Sequence, residues 1–418
     1  MAHVQTPTQE AASDRSALAA RRGDAAALAA ALQASRADTL ATFEAYGRVL
    51  PQWQVPQRPE FNPPLWELGH IGWFQEFWLA RNPERTRGVQ ADPDVPRGPS
   101  VRAGAEALYH SSRVAHATRW SLPLPDAAAT QADLARQLQA TLTLLQQGPH
   151  DDDGLYFFRL ALLHEDMHHE AALYMAQGLG IPIDDPRWRP RPLPAAGAGL
   201  ALTGGPWVLG APPGRERGFA FDNELGRREV VLAPYTIDAQ AVRWAEFLPF
   251  AEAGGYEQPR WWSDSGWAWR QALELTAPRF VRRTPAAGRA WQQWRHGRWS
   301  TLDPAEAACH LSWHEAQAWC RWAGRRLPTE AEWEHAALAQ SDAFVWGDVW
   351  EWTASPFEPF EGFQPHPYRD YSAPWFDGRP VLRGASFMTQ PRMKHVRYRN
   401  FFQAHRHDVP AGFRSCAL

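Results

Sequence analysis

The chain changes character once, near its middle, and this limits its possible folds more than any other feature. Residues 181–199, IPIDDPRWRPRPLPAAGAG, crowd proline and small residues together. Proline fixes φ and cannot donate a backbone hydrogen bond, so such a run reads as a connector between structured regions. Before it, apolar residues recur with helical spacing. After it come short alternating pieces such as GGPWVLG and REVVLAPYTID, with many Gly, Pro and Trp. At 418 residues the chain also exceeds the size at which one hydrophobic core usually stops growing. The expectation is a helical domain over 1–185, a Pro-rich linker over 186–200, and a second, mixed domain over 201–418.

In the first part, periodicity predicts long helices over 11–47, from Pro64 through LWELGHIGWFQEFWLA, over 128–147, and over 155–178. The last of these follows the turn signal HDDDG and stops at Gly178 or Gly180. A shorter helix fits within 105–119. Four main helices predict a bundle. In the second part only 240–253 and 312–323 read as helices. The arginine-rich stretches 279–283 and 289–298 read as solvated loop.

Charge excludes some partners. Lys plus Arg number 43 against 46 Asp plus Glu, a formal charge of −3. That balance offers neither nucleic acid nor a lipid surface an electrostatic footprint. No apolar run reaches membrane-spanning length, and MAHVQTPTQE lacks a secretion signal. Cys309, Cys320 and Cys416 are odd in number and lack metal-ligand spacing, so a reducing cytoplasm without disulfides is expected. Most of the 23 tryptophans should be packing residues, and several in loops suit a flat or cationic ligand.

The segment LLHEDMHHEAALYM carries His164-Glu165-Asp166-Met167-His168. Residues four apart share a helix face, so His164 and His168 project together toward the bundle interior. A zinc-peptidase site would need a third ligand downstream and Glu165 as base. The continuation after His168 lacks that ligand, and Glu170 is too near to supply it. Outside such a site, Glu165 reads as an ordinary solvated helix residue. Upstream, WELGHIGWFQEF places His70 among Trp66, Leu68, Trp73 and Phe77. One possibility is three core histidines hydrogen-bonded to backbone or carboxylates. The other is a three-histidine metal site between facing helices. Imidazole ligands alone leave zinc hydrolysis and Fe(II) chemistry with O2 both open.

LGHIGWF followed by HEDMHHE resembles the DinB-like, iron-binding domain of the ergothioneine-type sulfoxide synthases. The second half resembles their formylglycine-generating-enzyme-like (C-type-lectin-like), mixed α+β domain. That match runs through WHEAQAWCRWAGRRLPTEAEWEHAA, VWEWTASPFEPFEGFQPHPYRDYSAPWF and VLRGASFMTQPRMKHVRYRNFFQAHRHDVPAGFR. The resemblance implies a DinB-like four-helix bundle joined to that domain. It also implies a mononuclear Fe(II) enzyme that uses O2 to join a chalcogen to the imidazole C2 of hercynine, the Nα-trimethylated form of histidine. By motif, His70, His164 and His168 would hold the iron. Tyr368 of HPYRDYS would donate a proton or hydrogen atom, with Tyr371 beside it in the substrate pocket. Asn400 would meet the amino-acid portion of hercynine, and Phe401 would be a pocket aromatic.

Two positions depart from that pattern. Met167 stands where a glutamine commonly meets the substrate imidazole. Phe402 stands where the glutamylcysteine-using branch has an acid that anchors the donor amine, and a phenyl ring cannot accept a charge-assisted hydrogen bond. With its tail, GASFMTQPRMKHVRYRNFFQAHRHDV, the chain resembles most the selenium-using branch, the selenoneine synthases, whose donor is a 1-seleno-sugar. Position in that loop makes His395, Gln403, His405 and Arg406 candidates for sugar hydroxyls. A cysteine or γ-glutamylcysteine donor is the alternative, and a zinc or iron binding protein or zinc hydrolase a further one.

Overall fold

The computed structural model describes residues 9–211, 218–284 and 290–418. Six α-helices come first: α1 (Gln9–Arg22), α2 (Ala25–Val49), α3 (Pro64–Trp78), α4 (Ala105–Tyr109), α5 (Ala127–Gln147) and α6 (Asp152–Leu179). The expected helix over 11–47 is two helices. Gly23 breaks it, and Asp24 restarts the chain as N-cap by accepting from the Ala27 amide at 2.9 Å. Asp126 and Asp151 cap α5 and α6 in the same way. Gly180, at φ 72°, closes α6 in the left-handed conformation that favours glycine. The HDDDG signal therefore supplies a cap as well as a turn. Of the stretch 105–119, only α4 is α-helical; residues His116–Ser121 form a 3-10 turn.

The C-terminal part is mixed α+β. Its strands are β1 (Leu200–Leu202), β2 (Gly205–Leu209), β3 (Arg228–Leu232), β4 (Tyr235–Ile237), β5 (Val281–Arg283), β6 (Trp291–Arg295) and β7 (Arg298–Thr301). They continue with β8 (Arg325–Arg326), β9 (Trp350–Pro356), β10 (Pro380–Arg383), β11 (Asn400–Phe401), β12 (Ala411–Gly412) and β13 (Cys416–Ala417). Two small sheets run in the orders β1-β4-β13-β8 and β11-β10-β9-β12, beside a β2-β3 ribbon and a β5-β6-β7 meander. The meander corrects the loop reading of 279–283 and 289–298 at 281–283, 291–295 and 298, while residue 289 lies outside the described residues. Trp294 and Trp299 pair across β6 and β7, and the Arg282 guanidinium lies 4.0 Å from the Trp299 ring centroid, so the arginines cover aromatic faces.

Four helices join these strands: α7 (Trp244–Glu252), α8 (Asp264–Ala272), α9 (Trp313–Trp322) and α10 (Glu330–Ala339). Helices α8 and α10 were not expected. Thr329 caps α10 through a Thr-x-x-Glu capping box with Glu332, a signal present in LPTEAEWEHAA.

The two regions meet across α6, which is buried on nearly every side. Glu170 accepts hydrogen bonds from Trp350 Nε1 (2.8 Å), Ser386 Oγ (2.7 Å) and Thr389 Oγ1 (2.7 Å). Arg392 clasps Asp166 through two bonds at 2.7 and 2.9 Å. From α1, Arg21 reaches Glu224 at 2.6 and 2.8 Å. Apolar packing is continuous as well, since one core contains Trp66, Phe74 and Leu163 together with Trp350, Trp352 and Phe413. Among the described residues, no helix is long and apolar enough to cross a membrane.

Candidate metal centre

His70 on α3 meets His164 and His168 on α6. Their ligating nitrogens all lie within 4.8 Å of one another, and no other group of three or more potential ligands does so among the described residues. Ring centroids are 5.2 Å apart for His70–His164, 4.9 Å for His70–His168 and 4.5 Å for His164–His168.

Two of the rings are oriented from behind. His70 Nδ1 bonds the Tyr109 carbonyl oxygen at 2.8 Å, and His168 Nδ1 bonds Glu67 Oε2 at 2.5 Å. In each case Nε2 remains for a metal. Both nitrogens of His164 are buried without a partner, and its ring stacks on Phe74 at 3.5 Å between centroids. A buried polar group left unpaired costs free energy, and coordination is the interaction this arrangement lacks.

Burial, then repulsion from His168, pushes the His70 pKa down to about 3, against a smaller upward pull from the Tyr109 carbonyl. Burial followed by the other two imidazoles holds His164 well below its ordinary value. Both rings are therefore neutral, the form that binds metal. The donor set fits a divalent transition ion with positions left open, Fe(II) included.

Glu67 was not foreseen. Burial raises its pKa, but the His168 hydrogen bond and the electrostatic pull of His168, His70 and Arg119 together hold it below the ordinary carboxylate value. Asn62 Nδ2 donates to its other oxygen at 2.6 Å, and Arg119 in turn donates to Asn62 Oδ1 at 2.8 Å. Such outer partners set the tautomer and orientation of a ligating imidazole. The available signal was Glu67-x-x-His70, an acid on the same face of an apolar helix.

Glu165 points elsewhere. It is buried rather than solvated, because its side of α6 packs on α2, and Arg36 of α2 holds both its oxygens at 2.7 and 3.1 Å. Tied up in that ion pair, it is not a base beside a metal-bound water. His169 bonds Thr42 Oγ1 at 2.9 Å, away from the triad.

The tyrosines approach from the C-terminal part. Tyr368 packs edge-on against Phe74 at 4.9 Å and lies 6.1 Å, ring to ring, from His164. Burial, followed by the nearby Asp370, raises its phenol pKa, so it carries its proton at neutral pH. Tyr371 is 6.0 Å from Tyr368, 6.1 Å from Phe401 and stacked on Phe221 at 4.4 Å. An aromatic path thus runs from His164 to Phe401.

The remaining expected residues are held by protein neighbours. Asn400 Oδ1 accepts from the Phe401 amide at 2.8 Å. Phe401 stacks on Phe357 at 4.1 Å. Phe402 and Met167 pack half-buried against the core, with the Arg406 guanidinium 5.0 Å from the Phe402 ring centroid. Arg406 is bidentate to Asp408 at 2.6 Å for both bonds. The cysteines are buried and unpaired. Burial pushes the Cys309 and Cys416 thiols up to about 12 and raises Cys320 as well, so none is a reactive thiolate at neutral pH.

Comparison with known proteins agrees with both regions. Residues 188–348 match the family model of the sulfatase-modifying factor enzyme 1-like domain. The chain is 33% identical over 412 residues to a hercynine oxygenase of Mycolicibacterium smegmatis, covering 85% of this chain and 91% of that protein. It is 33% identical over 406 residues to a hercynine oxygenase of Mycobacterium tuberculosis, with the same two coverages. A formylglycine-generating enzyme of Streptomyces coelicolor is 34% identical over 163 residues, 36% of this chain and 50% of that protein. These relatives and the triad together identify a non-heme, metal-dependent oxidoreductase. The chain belongs to the hercynine oxygenase family.

Proposed function

We propose that the chain is an O2-dependent Fe(II) enzyme that joins a chalcogen atom to the imidazole C2 of hercynine, with His70, His164 and His168 as the iron ligands. The observation that carries this reading is His164, buried with neither ring nitrogen bonded and one aromatic contact from Tyr368. When bound at three imidazoles, Fe(II) supplies redox activation of O2 with open positions beside the protein ligands. Glu67 keeps the His168 proton on Nδ1 and leaves Nε2 as the donor. Tyr368 holds a phenolic proton available for transfer near the centre, and its aromatic surroundings keep water away. Tyr371 and Phe401 offer ring faces to the quaternary ammonium of hercynine, and Asn400 the polar contact to its amino-acid portion. A reducing cytoplasm belongs to this reading.

A sulfur donor, cysteine or γ-glutamylcysteine, is the first reading; the relatives' name, hercynine oxygenase, supports the acceptor and the use of oxygen. For a thiol the balance closes: C2–H, S–H and O2 give a C–S bond, a sulfoxide oxygen and one water. A 1-seleno-sugar is the second reading. It is favoured by Phe402, whose ring lies beneath a guanidinium already neutralised by Asp408, leaving neither charge free there for an amino-acid donor.

Competition decides between them. Fe(II)-loaded protein receives hercynine, O2 and equal seleno-sugar, cysteine and γ-glutamylcysteine, and products are read by mass. A sulfur adduct supports the first reading and a selenium adduct the second. Absence of any hercynine adduct with iron bound overturns both.

A further inference from the structure

We infer that Asp222 is a positioning residue, clasping both ends of the segment that carries Tyr368 and Tyr371 so that the Tyr368 ring is held beside the metal centre with Tyr371 behind it. The inference rests on the role proposed above for Tyr368. Asp222 opens a 3-10 turn, Asp222–Glu224, and is 2% exposed. Its Oδ2 accepts from the His366 amide at 3.3 Å, and its Oδ1 accepts from the Ser372 hydroxyl. One carboxylate therefore ties residues 366 and 372 together, and both tyrosines lie in the span between. Asn223 Nδ2 adds a bond to Ser372 Oγ at 3.0 Å, and Tyr156 of α6 meets the His366 ring at 3.0 Å.

The donors distinguish this carboxylate from its neighbours. Glu224 is paired with Arg21, Glu330 with Arg383 and Arg399, and Glu351 with Arg414. The side-chain and long-range contacts of Asp222 come from neutral groups, a hydroxyl and an amide. Burial lifts its pKa to about 6, against the downward pull of those bonds. Charge neutralisation does not explain a carboxylate kept here at that cost. Its two oxygens, spaced to hold two points of one segment, do.

The same turn reaches the other wall of the site. The Asn223 carbonyl accepts from Arg399 at 2.8 Å, next to Asn400, and Glu224 holds the helical region through Arg21. Residues 222–224 thus link the tyrosine segment, the Asn400 strand and α1.

The test uses full-length Asp222→Asn and Ser372→Ala. The first leaves one acceptor oxygen where the carboxylate has two and removes its charge, and the second removes one arm of the clasp without adding a polar group. In the metal-free protein, amide hydrogen exchange over 366–372 should rise in both variants while α3 and α6 stay protected; unchanged exchange overturns the clasp. In the Fe(II) enzyme, kcat should fall, by up to ~100-fold for a misplacement of about 1 Å. In a Tyr368→Phe background, Asp222→Asn should cost almost nothing further. An equal loss in both backgrounds overturns positioning through Tyr368. A fully active Tyr368→Phe enzyme instead overturns the proposed role of Tyr368, and exchange alone then judges the clasp.

Discussion

His164 in the helical region is buried with both ring nitrogens unpartnered, whereas Arg383, Arg399 and Arg414 in the C-terminal region are each buried in ion pairs with carboxylates. Both regions bury groups that water would otherwise solvate. In the C-terminal region the charges neutralise one another: Glu330 accepts from Arg383 and Arg399, and Glu351 binds Arg414. In the helical region three imidazoles converge, their ligating nitrogens all within 4.8 Å of one another. Internally closed polar groups specify a framework. A set left open specifies a site. Helix α6 shows both within two turns, with Glu165, Asp166 and Glu170 closed by protein partners on the faces that the histidines leave.

The largest test of this contrast is His164→Ala, which should abolish stoichiometric iron binding as read by metal analysis. One retained equivalent would place the metal elsewhere. Tyr368→Phe should keep iron and lower kcat by about 10²–10⁴-fold, the usual worth of positioned proton transfer; an unchanged kcat would remove Tyr368 from the chemistry. Glu165→Gln breaks a closed pair and leaves Arg36 uncompensated. Urea denaturation should report a loss of about 3–5 kcal/mol while iron binding persists. If iron is lost instead at unchanged stability, Glu165 belongs to the open set. Glu67→Gln should weaken iron affinity by about 10–100-fold with the helices intact by circular dichroism. Unchanged affinity would mean that Tyr109 and packing suffice to aim the triad.

Much of the helical region was readable because its signals are local. Asp24, Asp126, Asp151 and Gly180 stop and start helices through bonds to residues three or four positions away. The histidine spacing placed His164 and His168 on one face for the same reason. The meander β5–β7 was hidden because Arg and Trp in alternation look solvated until the guanidiniums are seen covering ring faces. Glu165 was misread because a charged residue looks exposed until its partner is known, and Arg36 lies 129 positions away. Asp222 carries no motif of its own. Its meaning lies in residues 366 and 372.

By itself, then, the sequence determined most helices of the first part and the histidine pair on one face of α6, because each depends on interactions within a few residues. The tertiary structure decided which polar groups were closed and which left open: Glu165 on Arg36, Glu67 behind His168, Asp222 across the tyrosine segment, His164 on none. Those choices depend on pairing between distant segments, and burial makes each pairing costly to leave incomplete.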